Sequence, residues 1–205
     1  MSAPATLYID YRSPFSYLIK DPVEALEREI GVNLRWLPYR VDLEGAHGHN
    51  VHGRSEREWR KIRYLYADVR RIANRRSPPL VVRGTVKIFD PTLAHIAMLV
   101  AQDAGDDVFR RYHTDVQVRL WRREIDIEDR PHMRAALVAA GGDAAALDHA
   151  LDSGLGEERL AELQSAANAE GVFGVPMLRI HATGELFWGT DRFELFREAL
   201  LAYRA

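Results

Sequence analysis

Ser13, followed by Pro14, Phe15, Ser16 and Tyr17, is the first place in this sequence where residue types and spacing could do chemistry. Proline suits the first turn of a helix, where its missing N–H costs nothing, and serine suits the N-cap before it. A short apolar run over residues 5–9 precedes them, which sets the Ser13 hydroxyl at a helix N-terminus just off the end of a strand. Unpaired N–H groups and the positive end of the helix dipole gather there, and they can hold an anion or favour a thiolate. Ordinary capping needs the same residues, so both roles stand at this point. The 205 residues contain no cysteine, which excludes disulfides, cysteine-ligated metal centres and a protein-borne thiol nucleophile. Any sulfur chemistry must use a sulfur that a ligand brings.

Other constellations are weaker. His47, His49 and His52 could ligate a metal, but they lie in a glycine-rich loop without an acidic partner at fixed helical spacing, so a polar loop is expected and no metal. Arg54, Arg57, Arg60, Lys61, Arg63, Arg70, Arg71, Arg75 and Arg76 crowd one stretch. No nucleic-acid-binding motif accompanies them, and a solvated face is expected, with Arg60 or Lys61 as candidates to face an anionic substrate. A nucleophile-elbow sequence and a glycine-rich phosphate loop are both missing, which removes a serine hydrolase and a P-loop enzyme. Tyr11, Trp36, Tyr64 and Trp188 are expected in the core.

The composition bounds the class. With 47% hydrophobic and 28% charged residues, the chain can bury a sizeable core and stay soluble. A net charge of −2 gives no global reason to expect nucleic acid or anionic membrane as partner. No apolar run approaches the ~20 residues of a membrane span, and the first residues lack the pattern of a signal peptide. A cytoplasmic protein is the expectation.

The elements that must position Ser13 follow from periodicity. Residues 14–30 place Phe15, Leu18, Ile19, Val23, Leu26 and Ile30 at helical spacing, closed by Gly31, while Pro22 predicts a kink or two abutting helices. Val32, Leu34 and Trp36 alternate towards Pro38 as a strand should, completing a parallel crossover unit. Ser55 and Glu58 form a capping box opening a helix that carries Trp59, Ile62, Tyr66, Val69 and Ala73 on one face and ends at Ser77-Pro78-Pro79. Residues 80–82 and 85–89 read as short extended runs. Helices are predicted over 90–104, with Asp90 as cap and Pro91 in the first turn, and over 107–122, 131–140, 143–151 and 157–170. Residues 177–181 and 185–188 form a hairpin, and Asp191 with Glu194 gives a capping-box-like start to a final helix bearing Phe193, Phe196, Leu200 and Tyr203. Strand–helix–strand, a helical block, then strand–strand–helix is a thioredoxin-like α/β layout. Residues 1–54 and 171–205 are its two parts, and 55–170 is a large helical insertion.

Three motifs then carry a resemblance: Ser13-Pro-Phe-Ser-Tyr17, Gly171-Val-Phe-Gly-Val-Pro176 before the hairpin, and Glu185-Leu-Phe-Trp-Gly-Thr-Asp-Arg192 after it. Together, in this order, they resemble the 2-hydroxychromene-2-carboxylate isomerases, relatives of the kappa-class glutathione transferases and, more distantly, of the DsbA-type oxidoreductases. The resemblance implies a DsbA-like thioredoxin fold that binds glutathione where the oxidoreductases keep a Cys-x-x-Cys. It implies that Ser13 hydrogen-bonds the glutathione sulfur, with Pro14 and Phe15 beside it. It also implies that Val175 and a cis Pro176 meet the cysteinyl backbone, and that Thr190 and Asp191 hold the γ-glutamyl end. Asn50 falls in the loop where kappa-class relatives place a glutathione-contacting asparagine. Arg12 and Lys20 depart from the family by putting charge at positions that are usually apolar, and residues 83–91 do not match its corresponding stretch.

The function so implied is a glutathione-dependent isomerase acting on a small aromatic carboxylate by a ring-opening cis/trans step. A kappa-like glutathione S-transferase, which leaves the sulfur attached, and a non-catalytic thioredoxin-fold binding protein are the alternatives. A homodimer is common in the related families.

Overall fold

Ala5–Ile9 forms strand β1, and all five residues are buried because the strand has neighbours on both edges and cover on both faces. The computed structural model describes residues 3–42 and 55–204. Asn50, the three histidines at 47, 49 and 52, and Arg54 lie outside the described residues. Among those described, the order is β1, α1 (Pro14–Ile30), β2 (Arg35–Pro38), α2 (Glu56–Asn74), α3 (Thr92–Asp103), α4 (Asp106–Trp121), α5 (Arg130–Ala139), α6 (Ala144–Asp152) and α7 (Leu155–Ala169). Then come β3 (Met177–Ile180), β4 (Leu186–Trp188), a 3₁₀ turn (Thr190–Arg192) and α8 (Phe193–Arg204).

The sheet runs β2-β1-β3-β4. β1 and β2 are parallel, with Thr6 opposite Arg35 and Ile9 opposite Pro38, while β3 is antiparallel to both β1 and β4. Strand alternation divides the core. Leu7, Ile9, Trp36 and Leu178 face α1, α3, α4 and α8, whereas Tyr8, Leu37, Tyr39 and Met177 face Ala167 of α7 and Val172. The Tyr8 hydroxyl donates to Glu170 at 2.5 Å, tying that second layer to the sheet. No described helix is long and apolar enough to cross a membrane.

Several local signals hold. Ser13 caps α1, Gly31 ends it with φ +67°, and Ser55 with Glu58 makes a reciprocal capping box on α2. Pro22 lies inside α1, which is one helix rather than two. A proline there deprives the Leu18 carbonyl of its usual donor four residues on, and the Arg76 guanidinium donates to that oxygen at 2.9 Å. The unusual Lys20 is resolved as simply: its ammonium is 2.8 Å from Asp21 and 3.1 Å from Glu24.

Three expectations change. Residues 80–89 contain no strand. Their backbone groups are taken by helix ends and an arginine: Leu80 N–H donates to Ala73 O, Arg83 N–H to Trp121 O, and Arg123 donates to the Arg83 and Gly84 carbonyls. Asp191 sits inside the 3₁₀ turn rather than ahead of the final helix, and its carboxylate pairs with Arg192 at 2.9 Å instead of capping. Tyr11 and Trp36 are core residues, but Tyr64 and Trp188 are more than half exposed.

Candidate functional site

Parallel pairing of β1 with β2 and antiparallel pairing with β3 bring three chain segments to the edge of the sheet at which β1 ends. β1 ends at Ile9 and leads into the Ser13 loop. Met177 pairs with Tyr8, so Val175 and Pro176, joined by a cis peptide bond, lie just beyond the last paired residues at that edge. Gly189 N–H donates to Pro176 O at 2.9 Å, which brings Thr190 and Asp191 alongside, and their 3₁₀ turn packs against α1. Ser13, Pro14, Phe15, Val175, Pro176, Thr190 and Asp191 thus come together from both ends of the chain.

The Ser13 loop is held from within. Ser13 N–H donates to Asp10 O at 2.9 Å, its hydroxyl accepts from Ser16 N–H at 3.3 Å, and the Ser16 hydroxyl accepts from Asp10 N–H at 3.3 Å. Ser13 itself is half-buried, so its hydroxyl can cap α1 and also face a ligand.

Beneath the loop lies an ion pair that neither periodicity nor motif indicated. Asp10 is fully buried, and its carboxylate takes the Arg12 guanidinium as a fork, with Nε at 3.1 Å from both oxygens and a terminal nitrogen at 2.7 Å. The carboxylate also accepts from the backbone N–H groups of Arg12 at 2.9 Å and Val41 at 3.1 Å. Arg12 in turn donates to Val41 O at 2.9 Å and Phe89 O at 3.4 Å. One charge pair therefore clasps the Ser13 loop, the exit of β2 and the segment leading into α3. This is why a charged residue stands at position 12. The sequence-level signal was present as an acid and a base two residues apart beside Ser13.

His95 of α3 is buried with its Nε2 unpartnered, 4.0 Å from Asp10 Oδ1. Burial pushes its pKa down to about 4, although the Asp10 carboxylate opposes the shift. His113 of α4, whose Nδ1 lies 3.1 Å from the Tyr11 hydroxyl, is likewise pushed well below the usual value by burial. The folded state therefore binds fewer protons than the unfolded chain between about pH 6.5 and 4. Stability is expected to fall as pH drops through that window, with His95 alone contributing about 3 kcal/mol over the full shift. Urea titrations at pH 7, 6 and 5 check this: His95→Leu should flatten the pH slope relative to wild type, and an unchanged slope would contradict it.

On the outer side, Phe173 and Trp188 form an exposed edge-to-face pair with ring centres 5.1 Å apart. The indole packs against Gly174, where a Cβ would come within 2.8 Å of Trp188 Nε1. Of this apolar rim next to Val175, Trp188 was expected as core. A groove of about 680 Å³ between α1 and α4, lined by Glu24, Arg28, Arg111 and Asp115 among others, lies away from this edge. Among the described residues no group of three or more histidines and carboxylates could hold a metal.

Comparison with known proteins gives the family. The DSBA-like thioredoxin domain matches residues 6–201. The 2-hydroxychromene-2-carboxylate isomerase of Sphingobium xenophagum is 30% identical over 202 residues, covering 98% of this chain and 100% of that one. The chain belongs to the 2-hydroxychromene-2-carboxylate isomerase family of DsbA-like proteins. The Pseudomonas putida isomerase of the same name is 30% identical over 199 residues, 94% of this chain and 92% of that one. A solved 2-hydroxychromene-2-carboxylate isomerase superposes with a TM-score of 0.77 at 27% identity, covering 97% of this chain and 95% of the other. The cytosolic disulfide reductase DsbM of Pseudomonas aeruginosa, solved with glutathione (GSH), shares the fold with a TM-score of 0.63 at 19% identity, covering 97% and 98%.

Proposed function

We propose that this protein is a cytoplasmic, glutathione-dependent isomerase that converts a ring-closed aromatic carboxylate of the 2-hydroxychromene-2-carboxylate type into its trans ring-opened isomer. The observation that carries the reading is the Ser13 hydroxyl at the N-terminus of α1, with Val175-Pro176 and Thr190-Asp191 at the same edge, in a chain without cysteine. A cytoplasmic pool of reduced thiols supplies the missing sulfur.

The residues divide the work. Val175 lies just past the end of the β1–β3 pairing, where its backbone can take the cysteinyl unit as a short added strand. Thr190 and the exposed Asp191 carboxylate are placed to hold the γ-glutamyl end, the carboxylate taking its ammonium. The Ser13 O–H donates to the sulfur, and the N–H groups of the first turn of α1 add their partial positive charge, so the bound thiol loses its proton more readily. The ring C–O bond of the hemiketal breaks first, its hydroxyl proton passing to the phenolic oxygen. The thiolate then adds to the electron-poor alkene carbon of the ring-opened form, which moves the electron pair onto the ketone oxygen and turns the double bond into a single one. Rotation follows, and expulsion of the thiolate restores the double bond in the trans form. Glutathione is regenerated, so atoms and charge balance.

Glutathione titration followed by thiolate absorbance at neutral pH tests the reading. Wild type should show bound thiolate, and Ser13→Ala should lose most of it, with kcat falling about 10- to 100-fold, the worth of one hydrogen bond to a charged group. Ser13→Ala also removes a helix cap, so Ser13→Gly, which keeps most of the cap's worth and brings neither a donor nor a charge to the sulfur, is the control. Product analysis separates isomerase from transferase, since only the latter consumes glutathione. Absence of bound thiolate in wild type would remove the basis of both.

A further inference from the structure

The guanidinium of Arg40 stands at the same edge of the sheet with its backbone fixed on every side. Just before it, Tyr39 N–H donates to Ile9 O at 2.8 Å, and just after it, Val41 is held through both N–H and C=O by the Asp10–Arg12 clasp. Arg40 itself is pinned by one amide side chain: its N–H donates to Gln164 Oε1 at 2.8 Å, and Gln164 Nε2 donates to its carbonyl at 3.4 Å. The Tyr39 side chain reaches Asn168 and Val172 on the α7 face, so alternation sends the next residue to the opposite face, where α3 begins. The positive charge of Arg40 is accordingly felt by Asp90 and by His95.

Among the described residues, Arg12 and Lys87 near this edge are committed. Arg12 donates to Asp10 and to two backbone carbonyls, and Lys87 is 3.1 Å from Asp126 and 2.6 Å from Glu128. Asp90, whose carboxyl the Arg40 charge reaches, has its Oδ1 taken by the N–H and hydroxyl of Thr92. Arg40 makes no ion pair among the described residues, and its side chain is exposed. An arginine with an immobilised backbone and a planar fork that pairs with none of the described acids suits recognition of a carboxylate.

We propose that Arg40 receives the substrate carboxylate and so makes the enzyme prefer anionic over neutral electrophiles. This rests on the isomerase reading above and adds to it the residue that selects the substrate class. Ser13 and the 190–191 turn handle glutathione, while Arg40, on the α3 side of the same edge, handles the other reactant.

The test compares wild type, Arg40→Lys and Arg40→Gln with 2-hydroxychromene-2-carboxylate and its methyl ester in the presence of glutathione. Arg40→Gln should raise KM for the acid about 10- to 100-fold, as expected for losing a hydrogen bond to a charged group. The ester KM and the glutathione affinity should stay within about two-fold, and Arg40→Lys should fall between. Equal changes for acid and ester, or an unchanged acid KM in a folded Arg40→Gln, would overturn the proposal. Equilibrium binding of cinnamate against cinnamide, read by tryptophan fluorescence, tests the carboxylate site without turnover. If wild type turns over neither substrate yet binds cinnamate in an Arg40-dependent way, the carboxylate site stands and the isomerase reading falls. If cinnamate binding is indifferent to Arg40, the carboxylate site falls, whatever glutathione does.

Discussion

Asp10→Ala is expected to lower the free energy of unfolding by about 3–5 kcal/mol, the scale of a buried ion pair broken on one side. The carboxylate is fully buried, and removing it strands the Arg12 guanidinium together with the N–H groups of Arg12 and Val41. A stranded neutral donor costs about 1–3 kcal/mol when water cannot reach it, and these two are counted within the range for the broken pair. Arg12 retains slight access to solvent, which places the loss towards the lower end of the range. Removing both charges should cost less than removing one, because no uncompensated ion remains, so Asp10→Ala with Arg12→Met is predicted to be more stable than Asp10→Ala alone. Urea midpoints at constant m provide the measurement. A shift below about 1 kcal/mol for Asp10→Ala would mean that the pair behaves like an exposed salt bridge and does not hold this edge together. The same substitution should disturb the site, since Arg12 adjoins Ser13 and the clasp fixes Val41 beside Arg40.

That clasp also marks where the sequence stops being legible. α1, its serine cap, its glycine stop and the β3–β4 hairpin could be read because each depends on residues within a few positions of one another. The apolar stripe of α1 and the alternation through Trp36 likewise carry their periods locally. Asp10 meets Arg12 within two residues, but what makes the pair matter is Val41 and Phe89, and no local pattern points to partners 29 and 77 positions from Arg12. Residues 80–89 misled for the opposite reason. Their valines and isoleucine favour strands locally, yet Val86 and Ile88 are exposed and the nearby backbone groups are spent on helix ends. Propensity had no sheet edge to act on. Trp188 misled because an aromatic at a strand end can face solvent when the chain turns away at once, as it does at Gly189 with φ +93°. The glutathione-binding residues proposed around Ser13 come from motifs, whereas the proposed role of Arg40 carries no motif and rests on the bonds that pin its neighbours.

Glu27→Ala should be as damaging to the fold as Asp10→Ala and leave the chemistry alone. Glu27 sits in the last turns of α1, almost fully buried, and one of its oxygens accepts from Leu34 N–H at 2.8 Å, Trp36 Nε1 at 2.9 Å and Arg110 at 3.0 Å. Its second oxygen lies 2.8 Å from Arg110, whose guanidinium stacks 5.1 Å over the Trp36 ring. One carboxylate thus joins α1, the start of β2 and α4, so truncation is expected to cost about 3–5 kcal/mol. Glu27→Gln, whose amide oxygen can still accept from Leu34 N–H and Trp36 Nε1, should cost about 1–3 kcal/mol. Because β2 runs parallel to β1, Leu34 and Trp36 lie at the end of the sheet opposite Ser13. Folded Glu27→Gln should therefore keep the thiolate signal and the KM of wild type while unfolding at lower urea. Two acids of similar burial would then separate: loss of Asp10 disturbs stability and site together, and loss of Glu27 disturbs stability alone. A thiolate signal that falls in Glu27→Gln would show that the two ends of α1 are coupled, and that the helix as a whole, more than the clasp at its start, sets the Ser13 hydroxyl.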